Sequence, residues 1–161
     1  MTLLIITAAI IIISIISYFI VVSIEKRIDR RISFKESMDL VELPVITFYN
    51  KDKKLNFLLD TGSNISYINN SILKDISIED TSKEIKVIGI EGNPINTKIC
   101  KIVITYKDIT FTEEFSIANL NDAFDLVKQE SGVQIHGILG SKFFEKYKYI
   151  IDFKTLAAYT K

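Results

Sequence analysis

A chain of 161 residues with 20 basic and 20 acidic side chains has room for one modest domain and no formal net charge. That balance argues against a broad basic face for nucleic acid and against an acidic, disordered tail. A single cysteine, Cys100, excludes an intrachain disulfide.

Residues 2–24 carry no charge and are mostly Ile, Leu, Val, Ala and Phe. As a helix they would be about 34 Å long, enough to cross a hydrocarbon core of about 30 Å. A cleaved signal peptide is the competing reading. It wants a basic start, a shorter apolar run and a small-residue cleavage site. Neither Met1-Thr2-Leu3 nor Val22-Ser23-Ile24-Glu25 supplies these. The expectation is a single-pass transmembrane anchor over 1–24, so a membrane is an expected partner. Residues 25–40 read as a polar, basic linker, with Lys26, Arg27, Arg30 and Arg31 close behind the anchor. Cations beside a span stay on the cytoplasmic side. The domain over 41–161 is therefore expected to face the cytoplasm.

From Val41 the chain is rich in Ile, Val, Phe, Tyr and Thr, which favours strands. Residues 41–49 read as a first strand, with Pro44 marking an edge or bulge. A polar turn over 50–54 leads into a strand over 55–59 that ends at Asp60. Residues 66–68 read as another strand and 71–75 as a short turn or helix. Residues 84–90 alternate as a half-buried strand does, and Glu91-Gly92-Asn93-Pro94 is a turn. Strands over 95–106 and 109–117 follow. A short helix is expected over 121–128, capped by Asn121 or Asp122. Ser141 is placed to cap a helix through Phe143, Phe144 and Tyr147. Strands over 149–153 and 157–160 close the chain. No segment repeats.

The chemistry concentrates at Leu58-Leu59-Asp60-Thr61-Gly62-Ser63. An apolar strand delivers a carboxylate to the mouth of a turn. Gly62 lets the backbone bend and approach another segment closely. Thr61 and Ser63 set hydroxyls beside the acid, where they can hold its orientation. Taken alone, such an Asp reads as a surface turn. Other polar residues have simpler readings. The Glu113-Glu114 pair reads as a solvated patch and Cys100 as an inert thiol in a strand. His136 lacks the partners of a zinc site, and no metal set is found.

Three pieces stand in an informative order: the acid loop, the glycine-bearing hairpin Gly89-Ile90-Glu91-Gly92, and Gly137-Ile138-Leu139-Gly140 with Tyr149-Ile150-Ile151-Asp152-Phe153 behind it. Together they resemble the retropepsin-like aspartic proteases over about residues 41–160, the last section being most similar to bacterial members. The resemblance implies a mainly β fold, a closed β-barrel forming one acid-protease half, with one short C-terminal helix. It implies a homodimer in which Asp60 is the catalytic acid of each copy, supported by Thr61, Gly62 and Ser63. Ile88, Gly89, Ile90, Glu91 and Gly92 take the flap position, and Ile138, Leu139 and Gly140 brace the acid loop. The implied substrate is an extended polypeptide, with no metal or organic cofactor. The rival reading is a non-catalytic dimerisation or peptide-binding module of the same fold on the membrane.

The basic cluster generates a topology prediction. Protease added outside intact cells leaves residues 41–161 undigested. Ready digestion of that region would place the domain on the outer side.

Overall fold

The computed structural model describes residues 10–20, 31–88 and 94–160. The chain divides into two compact units, Met1–Arg31 and Ile32–Lys161. In the first, residues 10–20 form a helix, α1, with every residue exposed. The rest of the expected anchor, 1–9 and 21–24, lies outside the described residues. Among the described residues no helix is long and apolar enough to cross a membrane.

The second unit starts at Ile32, inside the stretch expected to be linker. Ile32–Ser33 (β1) pairs antiparallel with Ala157–Thr160 (β10), and Lys35–Val41 forms a helix (α2). The cause is apolar. Ile32 and Phe34 point inward, each only 1% exposed, while the charged residues around them stay at the surface. Val41 belongs to α2, so the strand expected from Val41 begins instead at Val45. Glu42, in the left-handed region, ends α2, and Pro44 keeps the residue before it out of the helical region, so the strand starts behind it. The Ser37 hydroxyl fastens this corner by donating to the Leu43 carbonyl and accepting from the Val45 N–H, both at 2.9 Å.

The main sheet has seven strands. Val45–Asn50 (β2) and Lys53–Leu59 (β3) form a hairpin, followed by Ser66–Asn69 (β4) and a 3-10 turn over Asn70–Asp75. Glu79–Ile88 (β5), Pro94–Tyr106 (β6) and Ile109–Ala118 (β7) run antiparallel in succession. Asn121–Ser131 (α3) leads to Gly137–Leu139 (β8), then Ser141–Tyr147 (α4) and Tyr149–Asp152 (β9). The strand order is β2-β3-β8-β4-β7-β6-β5, beside a smaller sheet β1-β10-β9.

Several expectations are corrected. The sheet does not close into a barrel: β2 and β6 meet through the single pair Tyr49↔Thr105. The far half of β6 instead pairs with β5, which remains an outer arm with an irregularity between Asp80 and Lys83. The helix content also exceeds one short C-terminal helix: α3 covers the helix expected over 121–128, and α2 is an addition. The caps differ as well. Asn69 on β4, rather than Asn121 or Asp122, holds the start of α3: its Oδ1 accepts the Leu120 N–H at 3.3 Å, and its amide donates to Asn121 Oδ1 at 2.9 Å. Ser141 is the first residue of α4, and the capping position belongs to Gly140 without a side-chain bond.

The core follows from strand alternation. Leu55, Phe57 and Leu59 of β3 face inward with Phe48, Phe111, Phe115 and Phe143. Phe57 packs on Phe48 at 5.9 Å and on Phe115 at 5.3 Å between ring centroids. Cys100 lies in this core, where burial pushes its thiol up to about 11. A thiol that does not ionise near neutrality is a poor nucleophile.

His136 joins β3 to the start of β8. Its backbone N–H donates to the Asn56 carbonyl at 2.8 Å, and its Nδ1 accepts the Asn56 N–H at 3.0 Å. That second bond requires neutral imidazole at Nδ1. Burial lowers the His136 pKa, and the Lys53 and Lys128 charges add to it. A histidine depressed in the folded state makes the unfolded state the better proton binder. Stability is therefore complete above the unfolded value of about 6.5 and falls as pH drops below it. Urea unfolding at pH 7.5 and 5.5 should show wild type losing stability on acidification, at no more than about 1.4 kcal/mol per pH unit from this group. His136→Asn should show a smaller loss; an equal loss would contradict the assignment.

Candidate active site

Asp60 follows β3 directly, and its loop is fixed from several sides. Parallel pairing sets Leu58 against Ile138 and Leu59 against Leu139. The ladder ends with the Asp60 N–H donating to the Leu139 carbonyl at 3.0 Å. The turn then closes on itself: the Ser63 N–H donates to the Asp60 carbonyl at 3.2 Å, and the Gly62 N–H donates to Asp60 Oδ1 at 2.9 Å. The carboxylate is thus aimed by its own turn, half-buried, with Thr61 and Gly62 exposed beside it.

The role expected for the Ser63 hydroxyl is corrected. It donates to the Ile65 carbonyl at 2.7 Å, not to Asp60. Gly62 occupies the near carboxylate oxygen, and the turn carries the Ser63 side chain onto the outgoing chain. Ser63 stabilises the segment behind the acid rather than the acid itself.

That segment meets β8 and α4 at very short range. At Gly140, an added Cβ would lie 2.3 Å from the Ile65 carbonyl oxygen. At Gly137 it would lie 2.4 Å from the Tyr67 carbonyl oxygen and 2.7 Å from the Phe57 ring. Both contacts are with structure that cannot swing away, so both positions exclude a side chain. The close approach lets the Ser141 N–H donate to the Ser63 carbonyl at 2.7 Å and the Lys142 N–H to the Asn64 carbonyl at 3.3 Å. Leu139 is fully buried, and Ile138 faces the cleft.

A cleft of about 990 Å³ opens over Asp60. Tyr67 and Ile138 line it beside the acid, Val87 and Ile95 line it from the β5 and β6 arms, and Ile117 and Leu120 line it from the end of β7. Its walls are largely apolar with a few polar groups, among them Ser63 and Asn64, the pattern of a site for a ligand with apolar parts. Ile88 ends β5 in register with Pro94. Gly89, Ile90, Glu91 and Gly92, expected at the flap, lie outside the described residues. Among the described residues no group of acids, histidines and cysteines has the arrangement of a metal site.

Sequence reasoning missed one residue of this neighbourhood. Glu113 is not part of a solvated patch; it is 5% exposed and accepts hydrogen bonds from Ser66 and Lys146. The signal was the alternation Phe111-x-Glu113-x-Phe115, which sets Glu113 on the inward face of β7.

A family model described as aspartyl protease matches residues 46–143. Among solved structures, the EIAV protease complexed with an inhibitor is similar at 16% identity and a TM-score of 0.45, covering 66% of this chain and 88% of that one. No curated protein matches.

The packing predicts the outcome of Gly140→Ala. Its Cβ forces Ile65 or α4 aside, an overpacking cost of about 3 kcal/mol. Thermal unfolding should show a lowered Tm, with faster amide exchange at Asp60. A Tm within a degree or so of wild type would contradict the close approach.

Proposed function

Since this chain belongs to the aspartyl protease family, we propose that it is an aspartic endopeptidase that cleaves extended polypeptides as a homodimer. The observation that carries the proposal is Asp60, aimed by the Gly62 N–H into an apolar cleft, in a chain with a single Asp-Thr-Gly. One such loop supplies one carboxylate. A peptide-hydrolysing acid dyad needs a second, and a second copy of the chain supplies it by twofold symmetry.

In that dimer Asp60 and the partner's Asp60 lie close enough that both cannot ionise cheaply, so they share one proton. The ionised member takes a proton from a bound water, which attacks the scissile carbonyl. The protonated member supports the developing oxyanion and then helps protonate the leaving amine. The exposed Thr61 hydroxyl is available to bond across the axis. Substrate lies as a strand in the cleft. The flap role of Ile88, Gly89, Ile90, Glu91 and Gly92 belongs to this proposal, supported by Val87 and Ile95 facing the cleft from the two arms that lead to it. No metal or organic cofactor enters the mechanism. The uncharged stretch 2–24 and the four cations behind it support a membrane-anchored protein with this domain on the cytoplasmic side.

A peptide library incubated with the protein tests the activity. Wild type should cleave a subset of peptides, Asp60→Asn should lose about 10³-fold or more, and specific activity should fall on dilution as the dimer separates. Cleavage unaffected by Asp60→Asn, or by dilution to a light-scattering monomer, would reject the reading. A library left intact by wild type would favour the binding module.

A further inference from the structure

Glu113 is a carboxylate at a core position, between Phe111 and Phe115 on the inner face of β7. Its Oε1 accepts the Ser66 hydroxyl at 3.2 Å, and its Oε2 accepts the Lys146 ammonium at 3.1 Å. The Ser66 hydroxyl oxygen in turn accepts the Gly140 N–H at 3.2 Å. Gly140 immediately precedes α4, and Lys146 lies in its last turn. Glu113 therefore reaches both ends of α4, one directly and one through Ser66. Lys146 is further held by the Thr112 carbonyl at 2.6 Å, which also accepts the Tyr147 hydroxyl at 2.6 Å.

The start of α4 is what the acid loop leans on. Ser141 and Lys142 donate to the Ser63 and Asn64 carbonyls, and Gly140 packs against Ile65. A displacement of α4 is thereby transmitted to the turn that aims Asp60. A half-buried ion pair is a weak source of stability, since apolar replacement of such pairs is often neutral or stabilising. Burial pushes the Glu113 carboxyl above its ordinary range, opposed by the Lys146 and Ser66 hydrogen bonds and the Lys146 charge. What the arrangement provides is fixed geometry.

We propose that Glu113 is a positioning residue of the active site, which sets the Asp60 loop by clamping α4 through Ser66 and Lys146. The proposal rests on the protease reading for its effect on turnover, but its structural link can be measured without it. A residue that served folding alone would change stability and turnover together. A positioning residue separates them, because a misplacement near 1 Å is enough to slow chemistry by about 10²-fold.

The test compares Glu113→Leu, Glu113→Gln and the exposed neighbour Glu114→Gln in the full chain. Tm, kcat, KM and amide exchange at Gly140 and Asp60 are read for each. Glu113→Leu should stay folded with a modest Tm loss from the unpaired Ser66 hydroxyl, lose at least about tenfold in kcat with KM within about threefold, and exchange faster at both amides. Glu113→Gln, which keeps an acceptor for Ser66, should recover most of the kcat, and Glu114→Gln should match wild type. A folded Glu113→Leu with wild-type kcat and wild-type exchange would overturn the proposal, as would a kcat loss no larger than that of Glu114→Gln. If Glu113→Leu fails to fold, Ser66→Ala cuts the same chain at its middle while leaving the Glu113–Lys146 pair, and unchanged Gly140 exchange in it would overturn the clamp. If wild type cleaves no peptide, the protease reading fails, and the exchange measurements still decide the role of Glu113.

Discussion

The site depends on one crossing: the acid loop lying directly on the end of β8 and the start of α4. The Asp60 N–H bonds to the Leu139 carbonyl, and the Ile65 backbone passes where a Gly140 side chain would be. No side chain at residue 140 is compatible with that distance. β8 is only three residues long, yet it is flanked by β3 on one side and β4 on the other. The strand entering the acid loop and the strand leaving it are thus held by the same short segment, and Asp60 has little freedom to move independently of the core.

From this crossing the other features follow. Bringing β3, β8 and β4 together with glycines at 137 and 140 lets Phe57 fill the space beneath, where it meets Phe48 and Phe115. Two serine hydroxyls near the site bond away from the carboxylate: Ser63 donates to the Ile65 carbonyl, and Ser66 donates to the Glu113 carboxylate while accepting the Gly140 N–H. The carboxylate is left facing the cleft with one neighbouring N–H, Gly62. A single acid so presented is half of the machinery that water activation by a carboxylate pair needs, and in the proposed homodimer a second copy supplies the other half.

Much of this was legible in the sequence because it rests on local pattern. Alternation located β5, strand-favouring residues between turn signals located β3, β6 and β7, and the short signatures around Asp60 and Gly140 located the two segments that cross. What was not legible depends on partners distant in the chain. Ile32 and Phe34 are two apolar residues among charges, too few to show a periodicity, and pairing with β10 and packing in the main core bury them. The start of α3 is held by Asn69, far upstream, so its own Asn121 and Asp122 were misleading. Glu113 and Glu114 look alike as a pair, but a strand turns one of them inward, where Ser66 and Lys146 meet it. Ser63 had two acceptors within reach of its position in the sequence, and only the path of the turn decides between Asp60 and Ile65.

The central claim is that catalysis uses one Asp60 from each of two copies. Mixing wild-type protein with Asp60→Asn at constant total concentration, under conditions where subunits exchange, tests it directly. If each dyad needs both carboxylates, the rate falls with the square of the wild-type fraction, so an equal mixture retains about a quarter of the wild-type rate. A linear fall, to about half in the equal mixture, would mean that each copy works alone and would contradict the account.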